Sequence, residues 1–259
     1  MSAEANHGRF VWFDLMTTKP AAAIDFYTRL LGWGTQVWTG LDTPYTMWAN
    51  GEAPLGGVME LPMEAHAAGA APHWLAYVAV ADVDRTAERA VQLGGSAVHA
   101  PTDIPLVGRF AVIRDPQGAM IAIYRSAKAS AEPASAQPAA GDFCWHELAT
   151  TDHRAACDFY AALFGWEKHE AMDMGEAGIY QIYGRSGQPL GGMFDKPCEM
   201  PGPPAWLSYI TVPDVRTAVG RVAELGGHVL NGPMEVPGGL IAQCLDPQGA
   251  MFALHSSAS

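Results

Sequence analysis

The chain is written twice. Phe10 to Trp33 reads FVWFDLMTTKPAAAIDFYTRLLGW, and Phe143 to Trp166 reads FCWHELATTDHRAACDFYAALFGW. Landmarks recur at a nearly fixed offset: Tyr27 and Tyr160 are 133 positions apart (160 − 27), Trp74 and Trp206 are 132 apart (206 − 74), and Asp115 and Asp246 are 131 apart (246 − 115). Self-similarity that holds its period over so long a stretch requires one structural unit built twice. Between the copies lies SAKASAEPASAQPAAG, Ser126 to Gly141, which has no apolar periodicity and reads as a flexible linker. The expected boundaries are residues 1–126 for the first copy, 127–141 for the linker and 142–259 for the second copy.

Each copy repeats one pattern internally. In the first, Phe10 to Met16 suits a strand, and Thr17 or Thr18 is placed to cap a helix with Pro20 in its first turn. That helix is expected to end at Gly32 and to bury Ile24, Tyr27, Leu30 and Leu31. Strands follow at Tyr45 to Ala49 and Leu55 to Glu60; then the order restarts with a strand at His73 to Val80, a helix at Val83 to Leu93, and strands near Ala97 to His99, Phe110 to Arg114 and Met120 to Tyr124. The second copy has strands at Phe143 to Ala149, Tyr180 to Tyr183, Trp206 to Thr211, Leu240 to Leu245 and Met251 to His255. Each half-copy is thus a βαβββ module, and the fold class is α+β. Asp115-Pro-Gln-Gly118 and Asp246-Pro-Gln-Gly249 fit tight turns.

Composition narrows the function classes. Fifteen Lys and Arg against 27 Asp and Glu give a net charge of −12, and the basic residues are scattered, so nucleic acid and anionic membrane are poor partners. No apolar run approaches a bilayer span, and the N-terminus lacks the features of a secretory signal, so a cytoplasmic protein is expected. The four cysteines all lie in the second half with no CxxC, which argues against a disulfide framework or zinc ribbon. No GxSxG, GxGxxG or P-loop pattern stands at a strand–helix junction. Monomer and homodimer are both buildable.

The runs DFYTRLLGW and DFYAALFGW, WLAYVAVADVDRTAERAVQLGG and WLSYITVPDVRTAVGRVAELGG, and RDPQGAMIAIY and LDPQGAMFALH resemble the vicinal oxygen chelate superfamily. That superfamily includes glyoxalase I, extradiol dioxygenases and the bleomycin-resistance proteins. The resemblance implies two glyoxalase-like domains in tandem, each with paired βαβββ modules forming a curved mixed sheet around a cleft. It also implies a divalent metal held by His, Glu or Gln from the first and last strands of the modules. Those positions fall here on Trp12 and Trp145, Leu75 and Leu207, and Ala122 and Ala253. None of these side chains binds a metal. The expectation is therefore no metal and no cofactor, with His73 and His255 supplying the alternative metal site. Met16 and Ala149 stand where the glutathione-dependent glyoxalases offer an Arg to substrate.

Alternation along a strand puts Trp12, Asp14 and Met16 on one face and Val11, Phe13 and Leu15 on the other; Trp145, Glu147 and Ala149 repeat the first set, with His146 facing away. A carboxylate beside an aromatic must be hydrated, paired or altered in its proton affinity. Asp14 and Glu147 are therefore candidates for a general base or for ligand binding. Pairing with an arginine such as Arg109 or Arg114 as fold support is an equal alternative. Tyr45, Tyr180, Tyr77 and Tyr209 join Trp12 and Trp145 as candidate ligand-binding aromatics. Gly56-Gly57 and Gly191-Gly192 read as bulges or places of close approach.

Two functions remain open. One is a metal-independent small-molecule-binding protein. The other is a glyoxalase-like lyase, isomerase or hydrolase acting on a small carbonyl or aromatic metabolite, with both copies active or only one.

Overall fold

A computed structural model describes residues 6–40, 44–67, 69–128 and 138–258; the expected linker lies largely outside them. Each copy folds two βαβββ modules into an eight-stranded mixed sheet. The first module consists of β1 (Phe10–Thr17), α1 (Pro20–Leu31), β2 (Gly34–Trp38), β3 (Tyr45–Asn50) and β4 (Ala53–Glu60), followed by a short helix α2 (Met63–Ala67). The second consists of β5 (His73–Ala79), α3 (Val83–Gln92), β6 (Ser96–Ile104), β7 (Gly108–Arg114) and β8 (Met120–Ser126). In the second copy the modules are β9 (Phe143–Thr150), α4 (His153–Phe164), β10 (Glu167–Asp173), β11 (Ile179–Arg185) and β12 (Gln188–Asp195), then β13 (Ala205–Thr211), α5 (Val215–Glu224), β14 (His228–Val236), β15 (Gly239–Leu245) and β16 (Met251–Ser257).

All four modules share one strand order, exemplified by β2-β3-β4-β1 and β5-β8-β7-β6. The first strand pairs in parallel with the last, and the rest are antiparallel. The long helix supplies the crossover that parallel pairing needs. No described helix is long and apolar enough to cross a membrane.

Helix ends follow local chemistry. Asp82, Asp152 and Asp214 each cap a helix by accepting backbone N–H groups, and α1 ends at Gly32 in the left-handed conformation with φ 74°. The expected threonine cap on α1 is a correction. Lys19 occupies the N-cap and makes no side-chain cap, because Pro20 takes the first helical position and so puts the N-cap one residue beyond Thr18. The buried stripe of α1 is also rotated from expectation: Ala23, Phe26 and Tyr27 are buried, with Ile24, Leu30 and Leu31 at its margin.

The core divides the molecule differently from the repeat. One compact unit combines the first copy from Ala76 through β8 with the second copy from Trp145 through β12. The other combines Trp12 through β4 with Leu207 through β16. In the first unit Val78, Ile113, Ile121 and Ile123 pack with Leu148, Tyr160 and Phe164. In the second, Leu15, Phe26, Tyr27 and Trp48 pack with Ile210, Val222, Phe252 and Leu254. Each core therefore contains one module from each copy.

The recurring landmarks prove to be one buried connection made twice. Trp74 Nε1 donates to Tyr27 Oη at 3.0 Å, and Tyr27 Oη donates to Asp246 Oδ2 at 3.3 Å. Correspondingly, Trp206 Nε1 donates to Tyr160 Oη at 3.1 Å, and Tyr160 Oη donates to Asp115 Oδ2 at 2.9 Å. The other carboxylate oxygen closes the DPQG turn: Asp115 Oδ1 accepts from the N–H groups of Gln117, Gly118 and Ala119. Burial pushes both aspartates above the usual carboxylate range despite these bonds, and it pushes both tyrosines well above their ordinary value.

Candidate functional site

On β1 the residues packed toward the helices alternate with residues on a helix-free face. In β1 Leu15 enters the core, while Trp12 and Asp14 share the opposite face. There Trp12 Nε1 donates to Asp14 Oδ1 at 2.9 Å and to Tyr45 Oη at 2.9 Å, and Tyr45 Oη donates to the same Asp14 oxygen at 2.5 Å. Asp14 is only 4% exposed. Burial, and then the Asp14 charge, hold the Tyr45 hydroxyl far above its ordinary value, so it stays protonated as a donor.

The second copy builds the same relay: Trp145 Nε1 donates to Tyr180 Oη at 2.8 Å, and Tyr180 Oη donates to Glu147 Oε1 at 2.8 Å. The double glycines make it possible. A Cβ on Gly57 would stand 2.0 Å from the Tyr45 hydroxyl oxygen, and one on Gly192 would stand 2.0 Å from the Tyr180 ring. Their partners Gly56 and Gly191 serve the strand pairing, since a Cβ there would stand 1.7 Å from the carbonyl oxygens of Phe13 and His146. The bulge itself falls one residue earlier. The register skips Leu55 between the Trp48–Gly56 and Ala49–Pro54 pairs, and it skips Leu190 between Tyr183–Gly191 and Gly184–Pro189.

The remaining candidates are placed differently. Tyr77 and Tyr209 are buried on β5 and β13, paired with Ala122 and Ala253. Tyr77 faces Phe110 at 6.3 Å between ring centroids, and Gln243 Nε2 donates to Tyr209 Oη at 3.4 Å. Each belongs to the other compact unit from its own copy's acid. His73 sets Nδ1 2.8 Å from the Ala71 carbonyl, and half-buried His255 has its proton affinity lowered by burial. Arg109 corrects the ion-pair expectation: its guanidinium holds Asp84 at 2.7 Å and Asp103 at 2.9 Å, within reach of the helix and hairpin of its own module.

The metal positions do not fit a metal. Trp12 and Trp145 use their N–H groups as donors, Leu75 and Leu207 are alkyl, and Ala122 and Ala253 are methyl groups with no exposed surface. Among the described residues no three His, Cys, Asp or Glu side chains gather. Sequence reasoning missed Phe110 and His99, which stack at 4.9 Å with an interplanar angle of 18° on the β6–β7 hairpin. Register across that hairpin was the signal needed, and β6 hides it by being largely exposed on both faces.

A family model described as the Glyoxalase/Bleomycin resistance protein/Dioxygenase superfamily matches residues 9–123 and 143–254. The anthracycline biosynthesis protein DnrV of Streptomyces peucetius is 32% identical over 95% of this chain and 92% of its own length. DauV of Streptomyces sp. (strain C5), also named as an anthracycline biosynthesis protein, is 31% identical over the same shares. Among solved structures, the 2,3-dioxygenase LapB of Pseudomonas sp. KL28 superposes with a TM-score of 0.68 at 13% identity, covering 98% of this chain and 93% of its own, a likeness of fold alone.

Proposed function

Because the chain belongs to the Glyoxalase/Bleomycin resistance protein/Dioxygenase superfamily, we propose that it binds a small molecule on the helix-free face of each copy, at Trp12–Tyr45–Asp14 and Trp145–Tyr180–Glu147, without a metal at the fold's usual ligand positions. The observation that carries this reading is the relay itself, built twice with the same donor order on a face that the core does not use. The core uses the same donor order at Trp74–Tyr27–Asp246 and Trp206–Tyr160–Asp115, but there the tyrosines are fully buried, whereas Trp12, Tyr45, Trp145 and Tyr180 are only half-buried and so within reach of a ligand.

The relay also describes the ligand. In the first copy the indole N–H and the phenol O–H both donate to the acid, and in the second the indole donates to the phenol and the phenol to the acid, so an incoming molecule meets carboxylate oxygens beside aromatic rings. A flat molecule carrying phenolic hydroxyls or an amine matches that surface. The relatives named for anthracycline biosynthesis support a polycyclic aromatic of this kind.

The test is thermal unfolding of the EDTA-treated protein against a series of hydroxylated polycyclic aromatics. The expected result is a saturable rise in Tm, because a ligand that binds only the native state stabilises it. In the Tyr45→Phe, Tyr180→Phe double variant the affinity should fall roughly tenfold, the effect of about one lost hydrogen bond to a charged network. Binding that requires added metal, or that survives the double variant unchanged, would overturn the reading.

A further inference from the structure

We infer that Tyr77, Phe110 and His99 form a stacking platform for one flat aromatic ring system, a subsite that the equivalent strands of the second copy do not offer. The inference rests on the proposal that the helix-free face binds a small molecule. Three rings run from inside to outside along one unit: Tyr77 is 8% exposed, Phe110 is half-buried and 6.3 Å from it, and exposed His99 lies over Phe110 at 4.9 Å. None of the three belongs to the hydrophobic cluster packed under α3. Their strand neighbours Val78, Ala111 and Ile113 pack under α3, which leaves Tyr77 and Phe110 on the helix-free face. Tyr124 pairs with Phe110 across β7 and β8 and ties its hydroxyl to the Val107 carbonyl at 3.0 Å, and it lies so close to Gly108 that a Cβ there would stand 2.7 Å from the Tyr124 ring.

The equivalent strands of the second copy lack the platform. Ile241 stands for Phe110, Asn231 for His99 and His255 for Tyr124, and Gln243 stands for Val112 and donates to Tyr209. Only the tyrosine at the base is kept. An aliphatic and amide surface offers van der Waals contact and hydrogen bonds, whereas a ladder of rings offers π-stacking that rewards planarity. The two copies therefore differ in what their second modules select, although their first modules present nearly the same relay.

The experiment measures binding of 1,2-dihydroxyanthraquinone and of a saturated fused-ring diol of similar size to the full chain, by calorimetry. Wild-type protein should prefer the flat probe. Phe110→Ile, which installs the second copy's residue, should weaken the flat probe about 5- to 20-fold and leave the saturated one within about twofold. Ile241→Phe should add affinity for the flat probe. His99→Ala, at an exposed site where folding is not at stake, should weaken it about threefold. If wild-type protein binds the flat probe but Phe110→Ile and His99→Ala change nothing, the platform is wrong and the binding proposal stands. If wild-type protein binds neither probe, both readings fail.

Discussion

The two copies agree at the connections that tie them together and differ both on the helix-free face and at a buried stacked pair. Both use a tryptophan–tyrosine–aspartate connection to tie one copy's first helix to the other copy's DPQG turn, with the same residue types and almost the same distances. Both build a Trp–Tyr–acid relay on the helix-free face, but the acid is Asp14 in one and Glu147 in the other. A third pair shows a substitution inside the core. Phe13 stacks on Phe143 at 3.7 Å, and at the equivalent place His146 stacks on Phe10 at 3.8 Å. Identity across copies thus marks the joints, and difference marks the positions free to be tuned.

If the joints are equivalent, Asp115→Ala and Asp246→Ala should each cost about 3 kcal/mol or more in urea unfolding, since each removes a buried acceptor of several donors. A large inequality between them would identify one unit as the weaker half. The next contrast depends on pH. Burial lowers His146 from 6.5 to about 3, so the unfolded chain takes up this proton first as pH falls. Stability from His146 is therefore complete above about pH 6.5 and is lost as pH drops toward 3, with a limiting slope of about 1.4 kcal/mol per pH unit. His146→Phe, which copies Phe13, should flatten that part of the curve by about 2 kcal/mol at pH 4 to 5, read by denaturant midpoints across the pH series.

A smaller effect tests the relays. Gly57→Ala and Gly192→Ala drive a methyl into Tyr45 and Tyr180, and each should cost about 1–2 kcal/mol. Loss of the corresponding indole N–H signal position in nuclear magnetic resonance spectra would show that the relay has opened. The smallest contrast is at the helix starts. Asp152 caps α4 through Ala155 N–H, while Lys19 caps nothing on α1, so Lys19→Asp should raise stability by about 1 kcal/mol and Asp152→Lys should lower it by a similar amount.

Much of this was legible in the sequence. The repeat, the module order and the parity that joins Trp12 to Asp14 follow from residue spacing alone, and the relay confirms that parity. Three things were not legible, each for a physical reason. Strand β2 and most of β6 face water on both sides, so they carry no alternation to read. The partner of Tyr27 is Asp246 rather than Asp115, because a sequence shows that two landmarks repeat and not which copy answers which. Arg109 was a reasonable partner for Asp14 on charge alone, but its guanidinium is satisfied by Asp84 and Asp103 nearer in the chain.

The exchange of modules between the copies has a consequence for how the chain can be divided. Each hydrophobic core needs one contribution from each copy, so severing the covalent tether yields fragments that are complements, not miniature versions of the whole. Residues 1–126 made alone would carry half of each core, with Tyr27 and Ile123 lacking the surfaces that cover them. Such a fragment must recruit a second chain or aggregate. The tether turns that encounter into an intramolecular one at an effective concentration on the order of millimolar, which lets the two halves diverge in sequence while remaining obligate partners in folding.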